Sequence, residues 1–323
     1  MTMRELASLC KVSVSTVSKA FQDSKEISAE TKERILTMAK QYGCLGKYQK
    51  QKYRKPIIAI ICHEVQSNYY SSMVETLQRL IQKSGCIATI STDHFDKDEQ
   101  EELIEYYASY MKVDGILVLG LQTPVKNGYE IPVVSLLSSL GSNVDEISLD
   151  LAGGIAKAVD ALYRLGHRKI AFFGENLTEY KAAFFHDSAR RYKDLTPIIF
   201  KSELRFEPAG EDCALRMLTE HADCTAAVCG YDNIAFGAIK ALKQKGVAIP
   251  KDFSIIGCDN LKVGKYMDLA LSTMGADEDE LCHLAWDLLQ RKIKNKYYRS
   301  KQHITLECEI FLRDTVATKK TER

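Results

Sequence analysis

Residues 12–21 read VSVSTVSKAF, preceded by RELASLCK (4–11) and followed by ISAETKERIL (27–36). Val14, Val17 and Phe21 stand three and four apart, the spacing that gathers side chains on one face of a helix. This predicts a short helix from about Ser13 to Phe21. Upstream, Thr2 and Glu5 carry the Thr-x-x-Glu pattern of a capping box, opening an earlier helix with Leu6 and Leu9 inward. Downstream, Ser28 caps a third helix through about Tyr42, with Ile35, Met38 and Ala39 inward and Gly43 as its stop. Three short helices in residues 2–43 make a small head with little core of its own.

The composition changes next. Residues 44–56 read CLGKYQKQKYRKP, poor in apolar side chains and rich in Lys47, Lys50, Lys52, Arg54 and Lys55. This reads as a linker closed by Pro56. Residues 1–55 hold 12 Lys/Arg against 5 Asp/Glu, a charge of +7, while the whole chain is only +1, so the remainder is −6. A basic head on an acidic body suits contact with a polyanion, although a solvated tail would show the same asymmetry.

From Ile57 the pattern alternates. The runs IIAIIC (57–62), CIATIS (86–91), GILVL (115–119) and IPVVSL (131–136) are separated by helical stretches near 71–84 and 98–112, and a helix near 152–165 follows the last of them. A second series follows: KIAFFG (169–174), PIIF (197–200), AAVC (226–229) and SIIGC (254–258), with helices near 178–192, 209–221 and 233–245. Continuous apolar strands alternating with helices predict parallel sheets covered on both faces. Two such series predict two doubly wound lobes. Ligands of open α/β sheets bind beyond the C-terminal strand ends, so the expected site is the cleft between the lobes.

The 323 residues are 46% apolar and 27% charged, an ordinary globular balance with no run long enough for a membrane span. The first residues, Met1-Thr2-Met3-Arg4-Glu5, lack the apolar stretch of a signal peptide, so a cytoplasmic product is expected. The ten Cys form no Cys-x-x-Cys pair and read as reduced, buried thiols. No metal spacing appears among the seven His, and no HExxH, GxxxxGK[ST], GxSxG or GxGxxG is present. Neither an enzyme nor a bound cofactor is expected.

The head closely resembles that of the LacI/GalR family of bacterial transcription regulators. So, in order, do VDGILVL (113–119), IPVV (131–134), ISLDLAGGIAKAV (147–159), LGHRKIAFFGE (165–175), IPKDFSIIGCDN (249–260), LALSTM (269–274) and FLRDTV (311–316). The resemblance implies a helix-turn-helix DNA-binding domain over 1–46, a basic linker over 47–56, and a periplasmic-binding-protein-like effector and dimerisation core over 57–323. Lobe one would take about 57–166 and 275–303, and lobe two about 167–274 and 304–316. The chain would cross near Gly166, near Gly275 and just before Ile304.

In such a head the second helix enters the major groove of operator DNA. The side chains placed there are Ser13, Val14, Ser15, Thr16, Ser18 and Lys19. Val14 suits a thymine methyl, and Lys19 suits a guanine edge or a phosphate. Ser13 and Thr16 serve phosphates or simply cap the helix. Two departures stand out. Lys11 occupies a turn position where the family usually has Gly. The linker also lacks the Leu that wedges open the central minor groove in the family, leaving its basic residues with Tyr48 and Tyr53 for phosphate contact.

In the core, the resemblance places Tyr69, Tyr70, Asp150, Lys181, Asp232 and Asp259 around the effector. Asp150 and Asp232 could equally cap the helices that follow them. Lys181 stands where the family has Arg, and a point charge replaces a bidentate fork. Two acceptor carboxylates, aromatic faces and one cation suit a sugar or sugar derivative, with a nucleoside second, and Lys181 leaves room for one acidic group. Dimerisation is expected through Met73, Val74, Leu77 and Leu80 with Leu281, Leu284, Ala285, Leu288 and Leu289. The resulting expectation is a homodimeric regulator, by preference a repressor, reading a palindromic operator under effector control. A solute-binding protein, or a regulator whose core only dimerises or holds a protein partner, is the alternative.

Overall fold

A computed structural model describes the chain except residues 23, 46–54, 127–128, 139, 142, 296, 299 and 320–323. Lys47, Tyr48, Lys50, Lys52, Tyr53 and Arg54 of the expected linker therefore lie outside the described residues. The chain divides into two compact units, Met1–Pro56 with Gly85–Ile87, and Ile57–Ser84 with Ala88–Arg323.

The first unit carries α1 (Met3–Leu9), α2 (Val14–Phe21) and α3 (Ala29–Gln41). Both bonds of the Thr2–Glu5 capping box form, at 2.7 and 3.2 Å. Ser13 and Ser28 cap α2 and α3 by accepting the Thr16 and Thr31 N–H groups. Leu6, Ala7, Val17, Ala20, Phe21, Ile35 and Ala39 pack as the core. Leu9, expected inward, is 44% exposed. The buried face of α1 is centred on Leu6, Ala7 and Cys10, which leaves Leu9 on its rim. Lys11 sits at φ +49°, the left-handed conformation that glycine adopts without steric cost.

The second unit has two six-stranded sheets. The first holds β1 (Ile57–Cys62), β2 (Ile87–Thr92), β3 (Gly115–Leu119), β4 (Val133–Leu136), β5 (Asp145–Asp150) and β11 (His303–Glu307), in the order β11-β5-β4-β3-β1-β2. The second holds β6 (Lys169–Glu175), β7 (Thr196–Ser202), β8 (Ala226–Cys229), β9 (Ser254–Cys258), β10 (Ser272–Gly275) and β12 (Glu309–Phe311), in the order β12-β10-β9-β8-β6-β7. Its pairings are parallel apart from antiparallel β10–β12. This is the doubly wound, two-lobed α/β architecture that the alternating pattern predicts.

Two lobe boundaries need correction. The helix Leu151–Arg164 packs Ile155, Ala158, Val159 and Leu162 against Ile170, Phe172, Val228 and Ile256 of the second sheet. The first crossing therefore falls at Asp150–Leu151, not near Gly166. The last falls at Cys308, because His303–Glu307 pairs residue for residue with Glu146–Asp150 of the first sheet. The second lies between Gly275 and the helix Glu278–Lys294.

Strand β5 (DEISLD) escapes a search for apolar runs, because it buries charge. Asp145 is 1% exposed and meets Lys292 Nζ at 3.0 Å. It also accepts the Gln302 N–H at 2.9 Å.

The expected dimer faces also need correction. Met73, Val74, Leu77, Leu281, Ala285, Leu288 and Leu289 are buried within lobe one. There the helix Asn68–Lys83 packs on Glu278–Lys294, and the latter covers β3 and β4. Leu80 and Leu284 are only half-buried, so of the expected set these two alone keep exposed surface.

Candidate functional site

The α2 helix presents a mixed surface. Val14 is 42% exposed, and Ser13 and Ser15 are exposed, while Thr16, Ser18 and Lys19 are half-buried. The Ser13 hydroxyl lies 2.7 Å from that of Ser15 and 2.8 Å from that of Thr16. Ser13 thus performs the capping role, and the three hydroxyls form one cluster at the helix start. Ser18 accepts from Gln22 Nε2 at 3.4 Å. Lys19 pairs with Glu26 at 2.5 Å, and this ammonium holds the Glu26 carboxyl below its usual range. Any base or phosphate that takes Lys19 must draw it away from Glu26.

A cleft of about 300 Å³ lies between the lobes. Its walls come from the chain just beyond the C-terminal strand ends: His63, Glu64, Tyr69 and Tyr70 after β1, Gly120 and Gln122 after β3, Arg205 and Phe206 after β7, Tyr231 and Asn233 after β8, and Asp259 after β9. Four of the six expected effector residues, Tyr69, Tyr70, Lys181 and Asp259, line it together. The Tyr69 and Tyr70 rings meet edge to face at 5.7 Å.

Asp150 and Asp232 are absent from this lining and correct the expectation. Asp150 accepts the Gly153 N–H at 2.8 Å as the cap of its helix, although its neighbours Leu149 and Leu151 face the cleft. Asp232 is fully buried, accepting the Thr273 hydroxyl at 2.5 Å and the Leu261 N–H at 2.8 Å. It ties down the loop that carries Asp259. Burial, reinforced by the Asp259 charge, raises its carboxyl to about 7.

Lys181 is also spoken for. Its ammonium, 3% exposed, donates to the Gly230 carbonyl at 2.8 Å, and it lies 4.5 Å above the Tyr231 ring. Asp259 Oδ1 is 3.8 Å away. Lys181 thus reaches the cleft as a buried ammonium already bonded to a backbone carbonyl, with a carboxylate of this chain nearby. Burial raises the Asp259 carboxyl to about 6, against the pull of Lys181.

Sequence reasoning missed Arg205. Its guanidinium forks onto Glu64 at 3.0 and 3.4 Å, joining lobe two to lobe one. Its Nε faces the buried Glu175 carboxylate at 3.6 Å. Phe206 beneath it takes φ +56°, a strained conformation for a bulky side chain. Only the position after a strand end, in SELRFEP, could have signalled this residue. Also missed was His63, whose Nδ1 meets Asp93 at 2.6 Å while Gln100 donates to the same carboxylate at 2.6 Å. Burial works against the Asp93 charge, but His63 and Gln100 hold that carboxyl below its usual range. Gly120, at φ +84°, lets the ring lie across the backbone, where a Cβ would collide with Nε2.

No described helix is long and apolar enough to cross a membrane, and no metal-binding cluster appears among the described residues.

Comparison with known proteins agrees with this architecture. Residues 2–43 match the model of bacterial regulatory proteins of the lacI family, and residues 159–316 match a periplasmic binding protein-like domain. The ribose operon repressor of Haemophilus influenzae is 28% identical, covering 99% of each chain. The transcriptional repressor CytR of Escherichia coli is 24% identical over 97% of this chain and 95% of its own. The fold matches a periplasmic binding protein/LacI transcriptional regulator from Alkaliphilus metalliredigens complexed with D-xylulofuranose, with a TM-score of 0.70 and 23% identity over 81% of this chain and 99% of that one. With a LacI-type helix-turn-helix head and a periplasmic-binding-protein-like core on one chain, this protein is a member of the lacI family of bacterial regulators.

Proposed function

We propose that the protein is a transcription repressor whose grip on operator DNA is set by a small hydroxyl-rich effector in the interlobe cleft. What carries the reading is the presence, on one chain, of a LacI-type head and a cleft walled by Tyr69, Tyr70 and Asp259 from both lobes. The aromatic rings offer flat faces to a sugar or nucleoside, and Asp259 offers an acceptor to its hydroxyls. The named relatives are repressors, and the related regulator noted above carries a bound sugar, which supports the same class here. Effector binding shifts the lobes and with them the operator affinity, a coupling of typically about 1–3 kcal/mol.

The protein acts as a homodimer on a palindromic site, since two-fold protein symmetry calls for two-fold operator symmetry. It works in the cytoplasm, where its DNA lies, and performs no chemistry on its ligand. Selection of genomic fragments by the full-length protein, followed by titration of the selected site with pentoses, hexoses and nucleosides, tests the reading. An inverted repeat whose binding responds to one of these compounds is expected. Non-specific binding with no response to any of them rejects it.

A further inference from the structure

The charged groups of the cleft are already matched to one another. Lys181 spends its ammonium on the Gly230 carbonyl, with Asp259 3.8 Å away. Arg205 has Glu64 on its fork at 3.0 and 3.4 Å and Glu175 at 3.6 Å on its Nε. His63 faces Asp93 at 2.6 Å. Each cleft-lining cation among the described residues therefore has a carboxylate of this chain within 4 Å. Two carboxylates that line the cleft, Glu64 and Asp259, stand beside its two permanent cations, Arg205 and Lys181, and the buried Glu175 backs Arg205 from outside the lining.

A ligand phosphate or carboxylate entering here meets Glu64 or Asp259 before it meets an uncommitted cation. Like charges brought together in the partly desolvated cleft repel each other. Taking Arg205 from Glu64 does not remove that repulsion, because it strands a carboxylate that is only 12% exposed. The fork also spans the lobes. A neutral ligand leaves it in place, so the lobes stay joined over the ligand. An acidic ligand competes for the guanidinium and opposes the contact that joins them. The strained Phe206 backbone beside Arg205 fits a segment held in one working geometry.

We infer that the cleft accepts an uncharged, hydroxyl-rich ligand and rejects the phosphate ester or acid of the same compound, with the Glu64–Arg205 fork as the specificity-determining pair. This rests on the effector reading above and narrows it to one chemical class.

The test uses matched pairs on the full-length protein: D-ribose and D-ribose 5-phosphate, D-glucose and D-glucose 6-phosphate, adenosine and adenosine 5′-monophosphate. Thermal shift finds the pairs that bind, and calorimetry gives the affinities. In wild type, a neutral parent raises the melting temperature and its ester does not. In Glu64→Gln, which keeps the side-chain shape but frees the fork, the ester-to-parent affinity ratio moves toward the ester by about tenfold or more. In Arg205→Gln, the parent weakens and the ester stays excluded. An ester that binds wild type more tightly than its parent overturns the inference and leaves the effector reading standing. So does an unchanged ratio in Glu64→Gln. Should that variant fail to fold, improved ester binding in Arg205→Gln overturns it instead. If no parent and no ester binds wild type, the effector reading falls and this inference with it.

Discussion

Lys181 Nζ stands 3.8 Å from Asp259 Oδ1, too far for a hydrogen bond, while it donates to the Gly230 carbonyl at 2.8 Å. Asp259 therefore feels the ammonium's charge without bonding to it. It lines the cleft at the end of β9, held at φ +122°. Asp259→Asn should lower effector affinity by about tenfold or more, because an amide accepts more weakly than a carboxylate. Operator binding without effector should change little. Calorimetry alongside operator titration separates the two. Unchanged effector affinity would remove Asp259 from the ligand's contacts.

Asp232 makes stability depend on pH. Its folded carboxyl titrates near 7, above its unfolded value, because burial and then Asp259 disfavour the charge. Between the two values the folded chain holds a proton that the unfolded chain has lost, so stability falls as pH rises through this window. The contribution is fully present below about pH 4 and gone above about pH 7. Asp232→Asn should flatten this fall. Urea unfolding midpoints at pH 5 and pH 8 give the comparison, and an equal slope in both proteins would count against it.

Lys11→Gly should stabilise the head by about 1 kcal/mol, since Lys11 holds φ +49° and glycine pays no steric cost there. Ser13→Ala should destabilise it by about 1 kcal/mol through loss of the Thr16 N–H cap. Thermal melts followed by circular dichroism should move in opposite directions. A lower midpoint in Lys11→Gly would contradict the strain argument.

Lys19 and Glu26 make a further prediction on DNA. Glu26→Gln frees Lys19 and removes an anion near the expected DNA face, so operator affinity should rise within about fivefold, the range of an exposed ion pair. Lys19→Ala should weaken binding and alter base preference. Fluorescence anisotropy at two salt concentrations measures both. If Lys19→Ala leaves affinity and preference intact, α2 does not read the bases.

The dimer proposal is checked by light scattering at micromolar concentration, where twice the chain mass of 36.4 kDa is expected. A monomer would reject it.

Local rules were enough for much of this molecule. The Thr2, Ser13 and Ser28 caps, the helix carrying Val17 and Phe21, and runs such as IIAIIC and SIIGC are set by neighbours a few residues away, and each forms where expected, although Val14 stays 42% exposed. The strand ends also pointed to the cleft, and the family resemblance placed Tyr69, Tyr70, Lys181 and Asp259 around it. Partnership across long separations was not legible. Asp232 turns away from the cleft because Thr273, 41 positions later, takes its carboxylate. Asp145 hides β5 because Lys292 neutralises it from another helix. Met73 and Leu289 serve one lobe rather than a partner because two distant helices pack together. Arg205 and Glu64, 141 residues apart, carry no sign of each other in the chain. A residue type and its local period determine which helix or strand it joins and roughly where it points. Which buried charge answers it depends on how distant segments come together, and only the tertiary structure decided that.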